Sequence, residues 1–137
     1  MKNIKEKIAY SLLFFLFFFL DQTTKHFVFK KHSALIFENE NFVFSLKVPT
    51  PLMYLTYIIL LGLLLNWFSK KQNKNTLDKL GFVLIFSGAV SNISERLFNG
   101  FVIDFVHIYN GVFNVADFFI ILGIILLFFS KDELMKN

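Results

Sequence analysis

The chain has 137 residues, 55% of them hydrophobic, with 21 Phe, no Cys and a formal net charge of +4. With a mean hydropathy of +0.59, it is too apolar for a typical water-soluble domain of this length and fits a single multispan membrane domain over residues 1–137. The lack of Cys excludes disulfides, thiolate catalysis and Cys-ligated metal, and lysines gathered at the N-terminus, after Trp67 and at the extreme C-terminus read as membrane flanks rather than a nucleic-acid patch.

MKNIKEK is a basic start and IAYSLLFFLFFFL an apolar core, which together imitate a signal peptide. Asp21-Gln22-Thr23-Thr24 follows with no small-residue cleavage site, so a retained first membrane helix is expected over about 8–29. In the connection that follows, residues 34–48 alternate loosely and are rich in Phe and Val. A short hairpin or small sheet on the membrane surface is expected there. Pro51 suits the first turn of a second span over about 51–68. A short, basic, polar link, SKKQNKNT, leads to a third span over about 77–98. Its small residues Ser87, Gly88, Ala89 and Ser91 let neighbouring helices approach closely. The fourth span is expected over about 112–129. A crossing needs ~20 residues, so each span must carry polar positions at membrane depth or at its rim.

Four spans return the two ends of the chain to one side. The N-terminus, the Lys70–Lys74 loop, Lys131 and Lys136 share that side, which the positive-inside rule makes cytoplasmic; Lys25, Lys30, Lys31 and Lys47 run against the rule. The same topology collects the unusual polar residues at the other end of the bundle: Asp21 and Lys25, then Asn92, Glu95 and Arg96, then Asp104, Asn114 and Asp117.

Asp21 and Lys25 share a helix face at i and i+4, either as a rim ion pair of little energetic worth or as support for a site. Asn92 and Arg96 share a face of the third helix in the same way, pointing inward. Alternatively, Arg96 snorkels to headgroups and Asn92 bonds a neighbouring helix. Asp104 and Asp117 can meet in two ways. Asn110-Gly111 is a hairpin turn signal; as the two loop residues they put the aspartates directly opposite each other, with Cβ atoms ~4.5–5.5 Å apart. If the fourth helix starts near Val112 instead, Asn114 and Asp117 share its face at i and i+3. The helix is preferred from Asn114 onward, with the turn returning the chain toward Asp104. Two carboxylates that close share one proton. The ionised member can take a proton from water while the neutral one polarises a carbonyl, which is the requirement of aspartic peptide hydrolysis. Spacing alone equally allows a helix-start acid at Asp117 and a solvated loop residue at Asp104.

Taken together, these residues resemble the lipoprotein signal peptidase (signal peptidase II) family over nearly the whole chain. Asp21-Gln22-Thr23-Thr24-Lys25 looks like its first motif, NENFVFS from Asn39 to Ser45 its second, and SGAVSNISER from Ser87 to Arg96 its third. Val102-Ile103-Asp104-Phe105 and Phe113-Asn114-Val115-Ala116-Asp117 resemble the fourth and fifth, and are the specific ones. The chain departs from the family pattern at Ser91, Glu95 and Asn41. The resemblance implies an all-α integral membrane bundle of four helices with a small surface β-cradle between helices 1 and 2. It implies an aspartic endopeptidase that removes the signal peptide from diacylglyceryl-modified prolipoproteins, before the lipidated cysteine, with Asp104 and Asp117 catalytic. Asn39, Asn92, Arg96 and Asn114 would position substrate or support the dyad, with Asp21 and Lys25 as structural support.

The partners expected are the lipid-modified precursor and membrane lipid, with no nucleic acid and a monomeric state. The location implied is a bacterial inner membrane, with the site at the outer leaflet. No metal or other cofactor is expected, since His26, His32 and His107 show no ligand spacing. The alternatives are a small transporter or proton-relay protein using buried acids, and a non-enzymatic assembly subunit.

Overall fold

Asn75 and Asn114 each start a helix by the same device. The side-chain oxygen of Asn75 accepts from the backbone N–H of Asp78, whose carboxylate accepts in return from the backbone N–H of Asn75. Asn114 and Asp117 repeat the arrangement. Such a capping box satisfies two N–H groups that a helix start otherwise leaves without partners.

A computed structural model describes residues 2–41 and 47–130, with side chains from Ile4 onward. Helices α1 (Lys2–Lys31), α2 (Thr50–Lys70), α3 (Thr76–Asn99) and α4 (Val115–Phe129) alternate with short strands β1 (Phe37–Asn39), β2 (Val102–Asp104), β3 (Val106–Ile108) and β4 (Gly111–Phe113). The chain is mostly helical. Three helical stretches, Ile4–Lys31, Thr50–Lys70 and Thr76–Asn99, are long and apolar enough to cross a membrane. At 15 residues α4 is shorter. It starts three residues after the expected span bound at about 112, because the chain from Gly111 to Phe113 is spent on β4, and Asn114 supplies the cap, in keeping with a helix from Asn114 onward.

The polar-poor faces of α1 and α2 stay uncovered, as Leu12, Ile58 and Leu63 illustrate at 64%, 69% and 58% exposure. A soluble surface rarely carries so large an apolar area, whereas lipid suits it. α3 is the central helix, packed along α4 and against α1, while α2 touches it lightly. Small residues set the α3–α4 distance. A Cβ built on Gly81 would lie 2.9 Å from the carbonyl oxygen of Gly123, and one on Gly88 2.6 Å from that of Ala116.

The strand region also differs in part from the sequence expectation. The segment after α1 forms no hairpin of its own among the described residues, but it joins a small two-stranded sheet, the other arrangement expected there. It makes a 3-10 turn (Ser33–Leu35) and then β1, which pairs antiparallel with β2, Phe37 opposite Asp104 and Asn39 opposite Val102; residues 42–46 lie outside the described region. The second hairpin, β3–β4, pairs Ile108 with Gly111, so its loop residues are Tyr109 and Asn110 rather than Asn110 and Gly111. Tyr109 takes the left-handed conformation, with φ 51°, that the turn demands. In this register Asp104 and Asp117 are not cross-strand partners.

Candidate active site

Asp104 ends β2 and Asp117 sits in the first turn of α4, and Asn114 joins them. The Asn114 side-chain amide donates to Asp104 Oδ1 at 2.6 Å, its backbone N–H donates to Asp117 Oδ2 at 3.0 Å, and its side-chain oxygen accepts from the Asp117 N–H at 3.0 Å. Asn39, at the end of β1, donates to Asp104 Oδ2 at 2.8 Å. Asn92, on α3, donates to Asp117 Oδ1 at 2.9 Å. Each of the four carboxylate oxygens thus accepts one amide N–H.

Asp104 is buried, at 2% exposure. Burial pushes its carboxyl from the ordinary 3.8 up to about 6, because a charged carboxylate loses its hydration there. The Asn39 and Asn114 amides pull the other way, the Asp117 charge adds to the rise and Lys25 opposes it.

Lys25 is 1% exposed and Asp21 0%, so they are not a rim pair. The Lys25 ammonium lies 2.7 Å from Asp21 Oδ2, 2.8 Å from Glu95 Oε2 and 2.8 Å from Asn92 Oδ1. Asn92 therefore links Lys25 to Asp117. Asp21 accepts further from Ser91 Oγ at 2.7 Å and from the Ala116 N–H at 2.8 Å. Gln22 donates to Ser91 Oγ at 2.8 Å. One network thus runs from α1 through α3 to the start of α4.

Arg96 donates to the Asn41 carbonyl at 3.0 Å and lies 5.5 Å from the Tyr57 ring centroid. Its Nε is buried with no hydrogen-bond partner among the described residues. It faces a cleft of about 500 Å³ between α2, α3 and α4, with polar groups Asn39, Asn92, Asp104 and Asp117 at one end and Leu60, Ile93, Ile120 and Ile124 among its apolar walls.

The structure brings together the residues singled out by sequence. Asp21, Lys25, Asn39, Asn92, Asp104, Asn114 and Asp117 join one hydrogen-bonded network. Arg96 borders it, donating weakly to the Asn92 carbonyl at 3.4 Å.

Sequence reasoning gives no role to Glu95, Gln22 or Tyr57, and gives Ser91 only a packing role. Glu95 has a visible signal, an acid three residues from Asn92 in an apolar helix, where an ionisable group needs a partner. The three departures from the family pattern are all engaged: Ser91 bonds Asp21, Glu95 pairs with Lys25, and the Asn41 carbonyl accepts from Arg96.

A family model described as "Signal peptidase (SPase) II" matches residues 13–131. A lipoprotein signal peptidase of Caldanaerobacter subterraneus is 31% identical over 124 residues, covering 80% of this chain and 86% of that protein. Those of Fusobacterium nucleatum and Bartonella henselae are 35% and 42% identical over stretches covering 58% and 54% of this chain. The chain matches about half the length of these two relatives, 53% and 48%. Two solved structures, each described as a bacterial membrane enzyme, share the fold with TM-scores of 0.76 and 0.75 at 21% and 22% identity. They cover 89% and 94% of this chain, and 86% and 94% of their own.

Proposed function

The chain belongs to the signal peptidase II family, and from that premise we propose that it is a membrane aspartic endopeptidase acting on diacylglyceryl-modified prolipoproteins. It cleaves the signal peptide just before the lipidated cysteine. The observation that carries this reading is the pair of aspartates tied through Asn114 at the mouth of an apolar cleft.

Asp104 and Asp117 hold one proton between them. The ionised member takes a proton from water, whose oxygen attacks the scissile carbonyl carbon. The neutral member gives its proton to the carbonyl oxygen, forming a neutral gem-diol. Collapse of that intermediate returns a proton from one hydroxyl to the dyad. The other carboxyl protonates the leaving nitrogen, and one proton is again shared. Asn39, Asn92 and Asn114 hold the carboxylates in place, and the Arg96 Nε, unpartnered among the described residues, suits a substrate carbonyl. The signal helix occupies the cleft beside α2, whose light contact with α3 leaves room for it. Asp21 and Lys25 anchor α1 to the dyad-bearing elements.

In this proposal α4 is the fourth crossing, and β1–β2 with the connection after α1 forms the surface cradle. The enzyme acts as a monomer in the cytoplasmic membrane, with the Lys70–Lys74 end inside and the dyad toward the outer leaflet. Family membership does not favour an ion-relay protein.

The test is a gel-mobility assay of a diacylglyceryl-modified precursor with wild-type protein, Asp104→Asn and Asp117→Asn. Each substitution is expected to lower cleavage ~100-fold or more. Normal cleavage by either well-expressed variant removes the dyad assignment.

A further inference from the structure

A second cleft, about 1020 Å³, lies between α1, α2 and α3, and the proposed chemistry does not use it. Chain direction fixes its position: α1 begins there, α2 ends and α3 begins, whereas the dyad lies where α3 ends and α4 begins. Glu6, Lys7, Lys74 and Lys79 are among its lining residues, three cations against one anion. Phe68 stacks on Phe82 with centroids 3.9 Å apart, Phe82 on Phe86 at 5.5 Å, and Phe86 meets Phe14 at 5.7 Å. At 1.5 Å per residue, Phe14 lies about 10 Å along α1 from Lys7, and Phe86 about 10 Å along α3 from Lys79. The rings therefore lead away from the charges into the apolar depth.

Among the described residues, internal pairing neutralises only one of the three cations at the charged end. Lys79 is 2.5 Å from Glu6, and Lys74 donates to the Lys71 carbonyl while lying 5.0 Å from the Phe68 ring centroid. Neither Lys7 nor Lys74 has a carboxylate partner among the described residues. A free anion would leave the aromatic wall unused, and a choline headgroup would bring a cation against three others. We propose that this cleft binds an anionic phospholipid, its phosphodiester at Lys7, Lys74 and Lys79 and an acyl chain along Phe68, Phe82 and Phe86. The inference needs the helices to stand in a bilayer but does not need Asp104 and Asp117 to be catalytic, so the two can fail separately.

Native mass spectrometry of the full chain with dioleoyl phosphatidylglycerol or dioleoyl phosphatidylcholine tests it. The anionic lipid is expected to bind about tenfold more tightly or better, the worth of two unpaired lysines. Lys7→Gln is expected to weaken it about fivefold, and Glu6→Gln, which releases Lys79, to tighten it by a similar factor. Lys30→Gln, the same charge change at the far end of α1, is expected to leave it unchanged. All three positions are exposed. No preference between lipids overturns the proposal. So does equal weakening by Lys30→Gln, failure of Glu6→Gln to tighten, or equal binding of soluble glycerol phosphate.

Discussion

Asn114 donates to Asp104 across 2.6 Å while capping the helix that carries Asp117. Its two roles can be separated. Asn114→Ser keeps a competent cap but cannot reach Asp104 as the amide does. Precursor cleavage is expected to fall ~10- to 100-fold, the worth of a hydrogen bond to a charged group, with little change in melting temperature. Unchanged cleavage would show that Asp104 needs no such tether.

The Asp104 carboxyl titrates at about 6 in the fold against an ordinary 3.8. The fold holds its proton more tightly than the unfolded chain does. Its contribution to stability is therefore full below the ordinary value and is lost as the pH rises through about 6. Asp104→Asn removes this titration. The melting temperature of wild type minus that of Asp104→Asn is expected to fall from about pH 4 to about pH 7. A difference that grows over that range contradicts burial as the cause.

Lys25 stands between two buried acids, Asp21 and Glu95, at 2.7 and 2.8 Å. Lys25→Met leaves both carboxylates without their cation and is expected to cost ~3–5 kcal/mol. Adding Glu95→Gln is expected to recover part of that loss, because one of the stranded charges disappears. Thermal unfolding in detergent reads both, and additive losses would refute the coupling.

The spans are legible in the sequence because long apolar runs have few alternatives. The dyad's neighbourhood is legible because carboxylates are rare in such runs. The burial of Lys25 is not. An i, i+4 spacing tells which face Asp21 and Lys25 share, but not that α3 brings Glu95 and Asn92 against that face. The hairpin lies one residue from its expected register because Asn-Gly is a local signal, while the observed pairing also has the Phe105 N–H bonding the Phe113 carbonyl at 2.9 Å. Pairing of β1 with β2 joins segments 65 residues apart, beyond any local pattern.

Gly88 sits where α3 passes the start of α4, and a Cβ added there would meet the Ala116 carbonyl at 2.6 Å. Gly88→Ala is expected to push Asp117, one residue on, out of place and to lower cleavage at least ~10-fold, given how steeply rate depends on alignment. Gly62, where an added Cβ would find nothing within 4 Å, is the control; Gly62→Ala is expected to leave cleavage unchanged. Equal behaviour of the two would mean that the close approach does not set the dyad.

The brevity of α4 has a consequence for access. Fifteen residues rise about 22 Å, well short of the ~30 Å hydrocarbon layer. With α4 as the proposed fourth crossing and its far end at one boundary of that layer, Asp117 would lie several ångströms beneath the other. A chain dissolved in water would have to shed its hydration to reach such a depth, whereas one tethered by fatty tails already resides there. Under the proposed function, a dyad held below the headgroups would select cargo by where it floats, before any side chain is read.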